Sequence, residues 1–166
     1  MKEGVFHMLE HGGDIKGFQE EYGTRPLDFS ANIAPLGVPA EVREAVCAAL
    51  DDVANYPDPL CRDLVRALAV HDTVDEHCIL CGNGSSDLLF RLVAAVKPRR
   101  ALVCAPTFAE YEQALATTNA ALDFYPLSEQ HDFAVRDDFA TFITPETDLA
   151  AICQPNNPSG ATVSHE

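Results

Sequence analysis

The sequence predicts an α/β protein built on a mostly parallel sheet with helices on its faces. Two observations carry that expectation. From residue 77 onward, short apolar runs alternate with longer windows of helical periodicity, the order that makes parallel strands joined by crossover helices. Two of the strand-like runs end in turns dense in Gly, Asn and Pro. These are Gly82-Asn83-Gly84 after the first run and Gln154-Pro155-Asn156-Asn157-Pro158-Ser159-Gly160 after the last. Ligand crevices of open α/β sheets lie at such strand ends. Composition agrees: 166 residues, 47% hydrophobic and 22% charged, suffice for one domain with a core.

The elements follow in order. Residues 1–40 lack sustained periodicity and carry Gly12-Gly13, Gly23, Pro26, Pro35, Gly37 and Pro39. They read as an extended N-terminal arm, with the main domain running over 41–166. Pro39-Ala40-Glu41 opens a helix with Val42, Ala45, Val46, Ala49 and Leu50 on one face. Asn55-Tyr56-Pro57-Asp58-Pro59 breaks it, and Leu60, Leu64 and Leu68 mark a second amphipathic helix ending near His71-Asp72. His77 to Cys81 reads as a first strand. Ser85 to Val96 reads as a helix burying Leu88, Leu89, Leu92, Val93 and Val96. Then come a strand over Ala101 to Ala105, a helix over Phe108 to Asn119 and a strand over Ala121 to Tyr125. A short helix over Asp137 to Ile143 and a strand over Leu149 to Cys153 complete the order.

A formal charge of −15 repels phosphate backbones and argues against nucleic-acid binding. No apolar run approaches the ~20 residues that span a bilayer. Met1 to His7 has no apolar signal core, which argues for the cytoplasm and for reduced thiols at the six cysteines, 47, 61, 78, 81, 104 and 153. Cys78 and Cys81 have a CxxC spacing that suits zinc or redox chemistry. On a strand, however, residues three apart point to opposite faces, and no second pair matches, so packing is preferred and no metal is expected.

Four motifs carry chemistry. Gly82-Asn83-Gly84-Ser85-Ser86-Asp87 joins a strand to a helix, where helix N–H groups and serine hydroxyls can bind an anion. It also reads as a simple capped helix, and it lacks the glycine pattern of a dinucleotide site and the Gly-Lys-Ser/Thr of a P-loop. Pro106-Thr107-Phe108-Ala109-Glu110-Tyr111 puts an aromatic at the mouth of the sheet, able to stack on a flat ring or simply to fill core. Asn157 sits between two prolines, as a ligand-facing amide or a turn former. Asn55-Tyr56-Pro57-Asp58 reads on its own as a simple proline turn.

Taken together and in this order, the motifs resemble those of the fold type I enzymes that use pyridoxal phosphate, the class I/II aminotransferases. The likeness is greatest to the threonine-phosphate decarboxylase and histidinol-phosphate aminotransferase branch. Gln154 and Ser159 replace an Asn and a Thr of the usual Asn-Pro-Asn-Asn-Pro-Thr-Gly. His11-Gly12-Gly13-Asp14-Ile15 and Asp28-Phe29-Ser30-Ala31-Asn32-Ile33-Ala34-Pro35-Leu36-Gly37 resemble the decarboxylases, with Asp14 and Ala34 replacing two asparagines. The resemblance implies a partial large domain of that fold behind the arm. It implies a cofactor phosphate held by Gly84, Ser85 and Ser86, its ring against Phe108 and its phenolic oxygen against Asn157. It further implies that Tyr56 reaches the partner's phosphate in a homodimer, and that His11, Asn32 and Tyr111 face an amino acid phosphate substrate. In the family the Schiff-base lysine lies downstream of the Asn-Pro-Ser/Thr-Gly turn. None of Lys2, Lys16 and Lys97 has its context, so the chain is expected to be an inactive N-terminal part holding no catalytic residue. L-threonine O-3-phosphate decarboxylation is the expected activity of the parent, with an aminotransferase as the alternative. A non-catalytic binding module and a generic nucleotide-binding domain remain open.

Overall fold

A computed structural model describes residues 12–163 of the chain, which divides into two units, Met1–Cys61 and Arg62–Glu166. In the first unit, the described part of the segment expected to be extended contains a short helix, α1 (Ile15–Tyr22). Asp14 caps it by accepting from the Gly17 amide at 2.9 Å, and Gly23 closes it in the left-handed region at φ 70°. Two turns give too few apolar positions for periodicity to register, although the Asp and Gly boundary signals are present. Gly12 is bare for a different reason: a Cβ there would lie 1.8 Å from the Ser30 carbonyl oxygen. The Gly13 amide donates to Ser30 Oγ at 2.8 Å, and Ser30 Oγ donates to Asp28 Oδ1 at 2.6 Å. The two arm motifs are therefore one packed substructure. Helix α2 (Ala40–Ala48) starts after Pro39 and tightens into a 3₁₀ turn over Ala49–Ala54. Its expected apolar face is uncovered: Val42, Val46 and Leu50 are each half or more exposed. Amphipathicity marks the face a helix can bury, but a facing layer is needed to bury it.

The second unit opens with α3 (Arg62–Asp72). The strand expected over His77 to Cys81 does not form. Glu76–Cys78 is a 3₁₀ turn started by Asp75, whose carboxylate accepts from the His77 amide at 2.8 Å. Ile79 is extended at φ −113°, ψ 126°, yet residues 79–81 belong to no ladder among the described residues. Extended backbone becomes a strand only when a neighbour accepts its hydrogen bonds. The face argument for Cys78 and Cys81 falls with the strand, and Cys78 is exposed.

Helix α4 (Gly84–Val96) ends at Lys97, left-handed at φ 51° with its amide bonded to the Val93 carbonyl. Strand β1 (Arg100–Ala105), helix α5 (Glu110–Ala116), strand β2 (Ala121–Pro126), a 3₁₀ turn over Asp137–Phe142 and strand β3 (Leu149–Ala151) follow. The sheet is parallel with order β2-β1-β3, in register from Arg100 opposite Ala121 and from Ala101 opposite Leu149. Central β1 is buried on both faces, as its unbroken apolar run requires. Ala101 and Val103 pack with Val93, Ala114 and Leu115 of the two helices. Leu102 and Cys104 pack on the other face with Tyr125, Leu127 and Phe139. Asp148 sets the start of β3, accepting from the Arg99 and Arg100 amides at 2.7 and 3.3 Å. The Arg99 amide bond foremost holds that carboxyl below its ordinary range. Among the described residues no helix is long and apolar enough to cross a membrane.

Candidate functional site

Three turns meet the C-terminal edge of this sheet. The parallel strands β1 and β3 send Pro106-Thr107-Phe108 and Gln154 to Gly160 out on the same side. Helix α4 packs on the sheet through Leu89 and Val93 and returns within three residues to the start of β1, so its N-terminus points to that same edge.

At that N-terminus Gly84 takes φ 85°, and a Cβ built there would meet nothing within 4 Å. The left-handed backbone favours glycine, and the space beside it is open. Ser85 is exposed and Ser86 half-buried, in the first turn where helix amides have no acceptor of their own. Asp87 could oppose an anion here. Its carboxylate is instead turned back on the Asn83 amide at 2.9 Å and on Arg91 at 3.0 Å, which compensates its charge.

The other two turns are locked together by a residue that sequence reasoning passed over. Asn156, 6% exposed, is the buried polar side chain among the described residues. Its Oδ1 accepts from Thr107 Oγ1 at 2.7 Å, and its Nδ2 donates to the Pro106 carbonyl at 3.2 Å and to Ser159 Oγ at 2.8 Å. Its backbone amide donates to the Ala161 carbonyl at 2.8 Å and its carbonyl accepts from Gly160 at 2.6 Å. Gln154 adds a second clasp, its amide group pairing with the backbone of Val163 at 2.7 and 3.3 Å. Asn156 therefore holds the end of β3 against the end of β1, and its neighbour Asn157 is left half-buried. Two consecutive asparagines gave the signal, but nothing in their order says which one points inward.

Phe108 is half-buried and meets Tyr111 edge to face, with ring centroids 5.9 Å apart. A hollow of about 200 Å³ beside it is lined by Thr107, Phe108, Glu112 and Phe124 among others. The turn carrying Asn156 lines a different, narrow crevice with Cys104, Ile152 and Cys153. Tyr111 packs against the helix-side core. Burial, and then Cys153, push its hydroxyl up to about 12. Its neutral form is favoured in the fold, so stability is full below pH 10 and falls as pH rises toward 12, where the unfolded tyrosine ionises first. Urea midpoints across that range should fall for this chain more steeply than for Tyr111→Phe.

Asn32 and Tyr56 lie in the first unit, both exposed, Tyr56 completely so. His11 lies outside the described residues. All six cysteines are free, and among the described residues no group of three or more His, Cys, Asp or Glu could hold a metal ion.

A family model for aminotransferase class I and II matches residues 24–166. Threonine-phosphate decarboxylase of Salmonella typhimurium is 40% identical over 153 residues, 90% of this chain and 42% of that protein. Histidinol-phosphate aminotransferase of Moorella thermoacetica is 34% identical over 156 residues, 92% of this chain and 40% of that protein. Two crystal structures share the fold. L-threonine-O-3-phosphate decarboxylase from Porphyromonas gingivalis has a TM-score of 0.62 at 29% identity, over 71% of this chain and 34% of that one. Histidinol-phosphate aminotransferase from Sinorhizobium meliloti, in complex with pyridoxal-5'-phosphate, has a TM-score of 0.77 at 22% identity, over 95% of this chain and 43% of that one. The chain spans less than half the length of these relatives.

Proposed function

The chain belongs to the class I and II aminotransferase family, and we propose from that premise that it is part of a pyridoxal-phosphate enzyme acting on an amino acid phosphate. Decarboxylation of L-threonine O-3-phosphate is the preferred activity. The observation that carries this reading is the Asn156 clamp, which holds the Phe108 turn and the Asn157 turn at one sheet edge. The 40% identity to a threonine-phosphate decarboxylase supports the choice within the family.

The residues present fit that cofactor by their donor chemistry. The open space beside Gly84, the hydroxyls of Ser85 and Ser86 and the α4 dipole suit a phosphate dianion. Phe108 offers a ring to flank a pyridine face, and the Asn157 amide offers a donor to a ring oxygen. Bound there, pyridoxal phosphate would supply an electron sink for breaking a bond at the amino acid α-carbon. The chain's own residues bind and orient it. Tyr111, kept neutral and packed edge to face on Phe108, is assigned to the substrate side of that pocket. Tyr56 is assigned to the phosphate of a second copy, and His11 and Asn32 to the substrate's phosphate and carboxylate. Lys16 pairs with Glu20 at 3.8 Å and Lys97 stands at the C-terminal end of α4, the opposite end from Ser85, so we assign the covalent anchor to neither.

Two measurements test this. The protein as its gene produces it should release carbon dioxide from L-threonine O-3-phosphate when loaded with pyridoxal phosphate. Amino transfer from histidinol phosphate to 2-oxoglutarate would favour the aminotransferase instead, and the absence of both reactions would sink the proposal. Replacing Ser85 and Ser86 with alanine should weaken pyridoxal phosphate binding roughly 10- to 100-fold, as expected for lost hydrogen bonds to a charged group. Binding of pyridoxal, which lacks the phosphate, should not change in equilibrium dialysis.

A further inference from the structure

Two thiols that the proposed chemistry leaves unused stand together at the same edge. Cys104, 2% exposed, is the penultimate residue of β1, and Cys153, half-buried, follows β3 by two residues. The strands are parallel neighbours paired through Val103 and Ala151. With strands ~4.8 Å apart and a rise of ~3.3 Å per residue, diagonal positions on such a pair lie roughly 6 Å apart at Cα, within reach of a disulfide. On an ideal strand the two side chains would face opposite sides. The chain leaves β3 after Ala151, however, and both cysteines line the same narrow crevice with Leu127, Ile152 and Asn156. Cys153 Sγ rests 3.4 Å from the Pro155 carbonyl oxygen. Burial first and Cys153 second push the Cys104 thiol up.

We propose that Cys104 and Cys153 are a redox modification site that closes to a reversible disulfide under hydroperoxide and pins the Asn157 turn to the end of β1. Cys153, the more accessible, attacks the peroxide O–O bond as thiolate; with hydrogen peroxide it becomes a sulfenic acid and one water leaves. The Cys104 sulfur then attacks the sulfenic sulfur, the S–S bond forms and a second water leaves. The two thiols give up two electrons and two protons in all, and the peroxide is reduced. Cys104 takes the second step because burial shields it from direct attack by the peroxide, while the shared crevice places it beside Cys153. The proposal stands independently of the cofactor assignment.

The test is a disulfide map of the full chain after treatment with hydrogen peroxide, with remaining thiols blocked at acid pH. Trypsin cleavage after Arg100 and Arg136 places Cys104 and Cys153 on separate peptides, Cys104 within 101–136 and Cys153 on the one that begins at Asp137. The expected result is one dominant linked pair of these peptides, two hydrogens lighter than their sum and released by dithiothreitol. In urea the preference should vanish into links with Cys47, Cys61, Cys78 and Cys81. In Cys104→Ser, Cys153 should persist as a sulfenic acid trapped by dimedone. Free Cys104 and Cys153 in the oxidised folded chain, or a preferred link from either to another cysteine, overturns the proposal.

Discussion

Leu102→Ala should destabilise the second unit by about 2–5 kcal/mol, the cost of deleting a large side chain that the surroundings can only partly fill. Leu102 is 0% exposed and central in β1, packed on the face that also buries Tyr125, Leu127 and Phe139. The loss removes contacts on one face of the strand that pairs with both neighbours. Phe139 sits edge to face on Tyr125 at 5.2 Å, with Phe142 on the same ring at 4.9 Å, so that layer has little freedom to close the gap. Urea unfolding followed by circular dichroism measures it. A loss under ~1 kcal/mol, the size of an ordinary surface change, would mean that β1 is not the core strand.

Asn156→Ala should cost about 2–3 kcal/mol and also weaken cofactor binding, whereas Asn157→Ala should cost little stability and act on binding alone. The asymmetry follows from burial. Truncating Asn156, itself buried, removes the acceptor of the Thr107 hydroxyl and the donor to the Pro106 carbonyl and leaves a void in the turn. It also releases the tie between residues 49 and 50 positions apart that sets the Phe108 turn against the Asn157 turn. Asn157 is half-buried and can be rehydrated when its amide is removed. A cycle with Thr107→Val separates a specific bond from general loosening: the two changes should couple, since they share one hydrogen bond. Strict additivity, or equal destabilisation by the two asparagine variants, would remove Asn156 as the clamp.

Strand β1 and the span of helix α4 were legible in the residues, though Leu92 and Val96 of its expected buried face stay exposed, and so was the order of the four motifs. Ala101 to Cys104 is an apolar run that only a strand buried on both faces accommodates, and it is buried on both. Gly84 marks the turn into α4 because its left-handed backbone is a requirement local to that residue. Such signals depend on a few neighbours in sequence, so they survive without knowledge of the fold.

Other features needed partners distant in sequence. His77 to Cys81 has the composition of a strand but gains no ladder, because pairing is a property of two segments. Val42, Val46 and Leu50 form a helical stripe but stay exposed, because burial needs a facing layer. Asn156 and Asn157 are chemically identical neighbours in one turn. Which of them clamps and which stays half-buried depends on Thr107 and Pro106, some fifty residues earlier, arriving on the adjacent strand. Backbone conformation is chosen by near neighbours, while the partner of a buried polar group is chosen by whatever the folded chain brings beside it.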